Sequence, residues 1–382
     1  MESAATLSRA AEGWGRFLAR RGSPSSLIRE VQTLTRVLPP DSARQQKWAE
    51  SSMDPASTLE EQFSYDEVIR KASEDAMVQR HYIVVSWPLT QQFTDAAAKF
   101  GPGRDGWRRL MTDQIRATVA GLEEARMGAV EALTARRTAA LLLHQQNPHL
   151  PIDLVRGVDP LAFGLPSHDE FSAHVVESAR PTRGVESDDG SGASSPVTWW
   201  HRTAAIHAEH MATAGRTPLW ALDLLIGREL TFVRSVSFHL HLVPAGQAKA
   251  KARADVIRDQ AAILSAKQKG RLVNDDNTTA MTAAQRRAAD LVAGSHHQGV
   301  DWIGYVTISA PTRDELAQAS RQLEETCATG LGIEHLDWQD SFQAAASGAT
   351  WPIGRGLRTG STSLGSRLYS RLAGRSDREA IS

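Results

Sequence analysis

Cysteine is almost missing from this chain: 382 residues contain one, Cys327. A disulfide framework within the chain is therefore excluded, which fits a reducing compartment. Long apolar runs are missing too. The most apolar stretches, 139–143 and 219–226, fall far short of the roughly 20 residues a membrane helix needs. Residues 1–21 hold Glu2, Glu12 and arginines at 9, 16, 20 and 21, with no apolar stretch like a signal peptide. No charge excess exists: Lys plus Arg is 43, Asp plus Glu is 44, and the net charge is -1. A dedicated nucleic-acid binder would carry a basic surplus. No G-x-x-x-x-G-K-[ST] phosphate loop and no G-x-S-x-G nucleophile elbow occurs anywhere.

What is present is alternation. Apolar residues make up 41% of the chain, enough for real cores. Leu7, Ala10, Ala11, Trp14, Phe17 and Leu18 have helical spacing over 4–20, and Gly22 follows as a stop. Residues 27–38 alternate like a strand and end at Pro39 and Pro40. Helix is expected over 58–76, strand over 81–87 (HYIVVSW), helix over 107–124, a short strand over 127–133 and helix over 134–146. Residues 1–150 thus read as a split β-α-β module lacking its first strand.

Residues 151–197 read as a linker, because 178–197 are crowded with Pro, Gly, Ser and Asp. Residues 198–353 repeat the pattern in full. Strands are expected at 198–208, 231–243, 301–310 and 333–339, and helices at 218–227 and 312–329. A helical hairpin is inserted at 247–293, formed by 247–271 and 279–293. Thr312 with Glu315 forms a capping box. The tail, 354–382, carries Arg355, Arg358, Arg367, Arg371 and Arg375 among Gly and Ser, and reads as a disordered basic segment. The expected class is α+β: two split β-α-β (ferredoxin-like) modules, the second with the hairpin.

Candidate chemistry is sparse. The glycine-rich Gly101 to Gly106 segment lacks a lysine and reads as a turn. His201, His207 and His210 lie on or beyond one strand. His239 and His241 share one face of another. Strand histidines can ligate zinc, but no cysteine or acid is spaced with them, so a half-exposed sheet face is the simpler reading. His296 and His297 sit by a glycine turn. Cys327 lies within a helix with no CxxC partner, which suits an inert thiol. The ten tryptophans fit sheet packing, with a protein-binding surface as the sharper alternative. No catalytic, cofactor-binding or metal residue is assigned from these patterns.

The second half resembles the nucleotide-free N-terminal region of the large ATPase of type IV secretion systems. The resemblance rests on ELTFVRSVSFHLHLVPA, the long helical stretch after it, GYVTISAPTRDELAQASRQLEE, and DSFQAAASGATWPIGRGLR with its Pro-x-Gly turn. Over roughly 13–358 the chain resembles a family of actinobacterial, conjugation-associated proteins encoded beside PrgI-family membrane proteins. There the motifs are GWGRFLA, SLIREVQTLTRVLPPD and HYIVVSWPL. Members of that family usually begin with a hydrophobic anchor and a further strand, and neither is in these residues.

The resemblance implies a non-catalytic structural or assembly component at the cytoplasmic face of the cell membrane. Its expected partners are a secretion ATPase and membrane channel subunits. Peripheral membrane contact and self-association are further expectations, and specific nucleic-acid binding is not expected. The alternatives are a hydrolase using histidines of the second sheet, or a DNA-handling conjugation factor. The missing phosphate loop makes one expectation directly measurable. Calorimetric titration of the purified protein with ATP should show no saturable binding at sub-millimolar concentration.

Overall fold

A computed structural model describes residues 4–40, 56–73, 77–148, 199–211, 230–268, 297–340 and 343–354, with isolated positions between them. The fold is α+β. Its strands are β1 (Glu30–Leu38), β2 (Val78–Ser86), β3 (Val175–Val176), β4 (Trp199–Ile206), β5 (Val233–Val243), β6 (Gly299–Ala310) and β7 (Asp337–Trp338). They form one sheet in the order β2-β1-β5-β6-β4-β3, and β7 also pairs with β4. β4 runs antiparallel to β6, with Thr203 opposite Thr307, and antiparallel to β3 and β7. Strands from 1–150 and from 198–353 thus share a sheet.

The chain divides into two compact units, and each draws on both halves of the sequence. One comprises Met1–Val31, Val85–Ala132 and Leu240–Trp302. The other comprises Gln32–Val84, Leu133–His239 and Ile303–Ser382. The expected linker at 151–197 lies mostly outside the described residues, but β3 falls within it and pairs with β4. The expected helices 218–227 and 279–293, and the tail beyond Gly354, lie outside the described residues or nearly so.

The first unit contains α1 (Ala4–Arg21), α3 (Gln91–Ala98), α4 (Gly103–Glu124) and α6 (Ala245–Gln268). The basic pair Arg20 and Arg21 closes α1 where the helix dipole favours cations. Gly22 N–H then bonds the Leu18 carbonyl at 2.8 Å. The sequence reading missed α3, although Thr90 caps it by accepting from the Phe93 N–H. Phe93 and Ala97 of α3 meet Leu110 of α4 in a small core, with Leu27 and Trp87 against it. The two helices approach closely at Gly106. A Cβ there would sit 2.1 Å from the Gly101 carbonyl oxygen and 2.5 Å from that of Ala97.

The strand expected at 127–133 does not form. Arg126 at φ 62° and Gly128 at φ 83° turn the chain into left-handed backbone. Met127 N–H bonds back to the Leu122 carbonyl at 3.1 Å, a helix-terminating arrangement that uses these residues as a stop. The first helix of the expected hairpin is α6. Its Ala245 N–H is held by Gln298 Oε1 at 2.6 Å, and Lys251 pairs with Asp301 at 2.8 Å.

The second unit carries the body of the sheet with α2 (Leu59–Ser73), α5 (Ala135–Gln146), α7 (Arg313–Thr326) and α8 (Gln343–Ser347). One sheet face is apolar, with Ala204, Ile206, Val236, Val306 and Ile308 buried on it. The capping box opens α7 as expected: Thr312 Oγ1 accepts from the Glu315 N–H and donates to Glu315 Oε1. Leu316, Ala319 and Leu323 form the buried side of α7. A wider turn, Cys327–Leu331, follows α7 and ends at Gly332. Of the last expected strand, 333–339, only Asp337–Trp338 pairs as a strand, while Ile333 bridges to Met211.

Gly106→Ala should destabilise the protein by about 2 kcal/mol or more, because the added methyl meets two backbone oxygens instead of a side chain that can move aside. Urea unfolding of the two proteins measures it.

Candidate functional site

The other face of the sheet in the second unit is polar and closed. Alternation along each strand brings Gln32 and Arg36 (β1), Ser235 and Ser237 (β5), Thr307 and Ser309 (β6), and His201 and Thr203 (β4) to it. All eight side chains are buried. Of the groups expected on a half-exposed face, Ser235, Ser237 and His201 are interior, whereas His207, His210, His239 and His241 are partly exposed. Burying such groups costs free energy unless each finds a partner, so the hydrogen bonds decide whether this face is tolerable.

The C-terminal segment and α5 supply the partners. The Gln32 carboxamide donates to Ser237 Oγ at 2.9 Å, to the Trp351 carbonyl at 2.8 Å and to the Ala349 carbonyl at 3.3 Å. Its Oε1 accepts from the Gly354 N–H at 2.9 Å. One side chain thereby fixes the Trp-Pro-x-Gly turn. Thr203, Thr307 and Thr350 join their hydroxyls at 2.8 Å each. His239 Nε2 reaches the Ala349 carbonyl at 2.7 Å, and burial lowers its pKa. Gln343 acts at the outer edge of β4. Its Oε1 accepts from the Thr203 N–H at 2.6 Å, and its Nε2 donates to the Thr203 carbonyl at 3.3 Å. A side-chain amide there does what a neighbouring strand would do, between the residues paired with β3 and those paired with β7.

α5 is buried along its last two turns, from Ala139 to Gln146. Its end bears His144, Gln145 and Gln146, followed by Asn147, all buried. His144 Nδ1 lies 2.9 Å from Arg36 Nη1, and Gln145 Nε2 donates to the Thr350 carbonyl. Because arginine can only donate, His144 Nδ1 accepts. Arg36 also donates to Ser235 Oγ at 3.3 Å, and no carboxylate pairs with it among the described residues. Burial pulls its pKa down to about 10, so the guanidinium stays charged near neutrality inside a neutral polar layer. Gln145 Oε1 and Asn147 Oδ1 are buried acceptors with no donor among the described residues.

Two serine–histidine contacts look catalytic: His239 Nε2 lies 3.2 Å from Ser237 Oγ, and His201 makes the more buried one. Its Nδ1 lies 2.7 Å from Ser309 Oγ, and its Nε2 lies 2.9 Å from the Gln146 carbonyl. A neutral ring donating from Nε2 and accepting at Nδ1 satisfies both bonds. Burial pushes the imidazole down to about 4, against the upward pull of the Gln146 carbonyl. His201 and Ser309 are each 6% exposed, which keeps substrate from the serine. A backbone carbonyl stands where a triad would place an orienting carboxylate.

The remaining candidates are dispersed. His207, His210 and His335 form a file of rings with centroids 5.3 Å apart at each step, and His207 Nε2 lies 3.4 Å from Asp337 Oδ2. Among the described residues no group of three or more His, Cys, Asp or Glu side chains is arranged to hold a metal ion. His241 Nδ1 lies 4.0 Å from Glu30 Oε1, while His239 Nε2 is taken up by the Ala349 carbonyl. His296 lies outside the described residues. Cys327 is buried, and burial pushes its thiol up to about 12, which leaves it protonated and unreactive.

Tryptophan and arginine do stack on this unit, with Arg202 over Trp338 at 4.0 Å and Arg313 over Trp200 at 3.9 Å. Gln32, Arg36, Gln343 and Thr350 were not singled out from the sequence. A usable signal was present: apart from Arg36, the buried polar positions named above on these four strands are Ser, Thr, His and Gln, not Lys, Glu or Asp. A solvated sheet face would carry those long or charged side chains.

The His201 environment gives a pH dependence. The unfolded imidazole titrates near 6.5 and the folded one near 4, so the unfolded state binds more protons between them. The His201 contribution is complete above the unfolded value and is lost as the pH falls toward the folded one, to a total of about 3 kcal/mol. Urea midpoints across this range should fall with acidification, and His201→Gln should flatten the fall.

No protein-family model matches the chain, and no curated protein sequence matches it.

Proposed function

We propose that this chain is a non-catalytic structural or assembly component of a type IV secretion-like (conjugation) machine. In this reading it docks to a partner ATPase or to membrane subunits at the cytoplasmic face of the membrane. The observation that carries the reading is the closed state of the polar layer. The groups with chemical potential, His201, Ser309, Arg36, Cys327 and His239, are committed to internal bonds or sealed by burial. Side chains used this way fix a shape, and a fixed shape suits a docking component.

The strand order adds support. In the second half the order across the sheet is β7-β4-β6-β5, which is fourth-first-third-second in chain order. This is the order of a split β-α-β module. In the same reading, β1 and β2 are the second and third strands of a like module, joined second strand to second strand through β1 and β5. The motifs that carry the family resemblance also have clear structural work. The alanine-rich segment supplies Gln343 to the β4 edge, and the Pro-x-Gly turn is the segment clamped by Gln32. Among the described residues no helix is long and apolar enough to cross a membrane.

The competing hydrolase reading would need Ser309 and His201 to open to solvent. Co-expression with the ATPase and membrane subunits of such a machine should recover a stable complex by affinity purification. Failure to recover either class of partner, together with labelling of Ser309 by a fluorophosphonate, would reverse the assignment.

A further inference from the structure

α4 is buried along Gly106, Leu110, Thr118 and Leu122. Beside that buried side runs a second line of apolar residues, Trp107, Met111 and Ile115, spaced four apart and therefore stacked on one flank. They are 38%, 40% and 40% exposed. Arg104 and Arg108 stand three residues before Trp107 and Met111, so they border the same line. Both are exposed, and neither makes an ion pair or a side-chain hydrogen bond among the described residues.

Their placement is electrostatically poor for the isolated protein. Both lie in the first two turns of a long helix, where the dipole disfavours cations. Arg109, in the same turns, is held by the Phe100 carbonyl at 3.2 Å, but Arg104 and Arg108 have no such acceptor. The carboxylates of the helix leave both arginines unneutralised: Asp105 and Glu123 form no ion pair among the described residues, Asp113 lines a groove with Lys99 and Arg20, and Glu124 pairs with Arg20. A second copy meeting this flank with its own α4 would bring the same cations, so an anionic partner of another kind suits it better.

We infer that the α4 flank formed by Trp107, Met111, Ile115, Arg104 and Arg108 docks on an anionic lipid surface. Tryptophan and aliphatic side chains enter the boundary between headgroups and acyl chains, while the two arginines take lipid phosphates as acceptors. The surface does not depend on the secretion reading. A chain that recovers no ATPase could still bind vesicles, and one that assembles with its partners could fail to.

The test is sedimentation of the full chain with vesicles of phosphatidylcholine, with or without phosphatidylglycerol. Binding is expected to the anionic vesicles alone and should weaken as salt rises. Arg104→Glu with Arg108→Glu, and separately Met111→Ser with Ile115→Ser, should each lower the partition coefficient about tenfold. Trp107 is kept in both variants because its ring packs edge-on against Phe93 at 5.6 Å. Lys249→Glu with Arg253→Glu on α6 should leave binding unchanged, and thermal melts should show all variants folded. No binding to anionic vesicles, or equal binding to neutral ones, overturns the inference. So does loss through the α6 pair with both α4 pairs silent. Loss through the charge pair alone also overturns it, since that is adsorption without insertion.

Discussion

The constraint on which the second unit depends is the satisfaction of a buried polar sheet face. Each neutral hydrogen bond contributes only about 0.5–1.5 kcal/mol, but a buried polar group left without a partner costs about 1–3 kcal/mol. A face built from Gln32, Arg36, His201, Thr203, Ser235, Ser237, Thr307 and Ser309 is therefore stable only when covered by a matching set of acceptors and donors. The segment Ala349 to Gly354 and the end of α5 are that set. The Gln32 carboxamide is the clearest instance, since it uses both ends and binds three carbonyl or hydroxyl oxygens and one N–H.

This constraint explains why distant parts of the chain are interdependent. Residue 32 holds residues 351 and 354, residue 36 holds 144 and 235, and residue 201 holds 146 and 309. Contacts this far apart in sequence make loop closure a large part of the folding cost. They also make the polar layer directional. Apolar side chains tolerate sliding past one another, whereas a shift of one residue would break several of these bonds at once and expose the other strand face. The buried Arg36 cation sharpens this further, because a buried charge tolerates only a narrow set of geometries.

The first unit follows a different logic. Its helices meet through small residues and a few aromatics, with Gly106 setting the approach of α3 and α4 and Phe93 filling the space beside it. Its exposed side retains charge and apolar surface that the interior does not need, such as Arg104, Arg108 and the Trp107 line. The second unit turns its reactive groups inward. The first leaves the Trp107 line outward, where the proposed lipid contact lies, although α2 of the second unit also exposes Leu59, Phe63 and Val68.

Local pattern in the sequence was enough for most strands and helices. HYIVVSW could only be a strand, Thr312 with Glu315 could only open a helix, and Thr134 and Gly22 mark a helix start and a helix stop, because these signals act over a few residues. The false strand at 127–133 arose where a helix stop resembled a strand in composition, and α3 was missed because its eight residues gave too short a period. The sequence also determined that no phosphate loop exists and that the sole thiol could pair with no other in the chain. It could not tell which side of a half-polar strand faces water. Alternation is the same whether Ser235 and Ser237 meet solvent or a carboxamide from residue 32. Only the tertiary structure decided that this face is interior, by bringing Gln32, α5 and the Trp351 turn against it and giving its serine, threonine and glutamine side chains fixed partners.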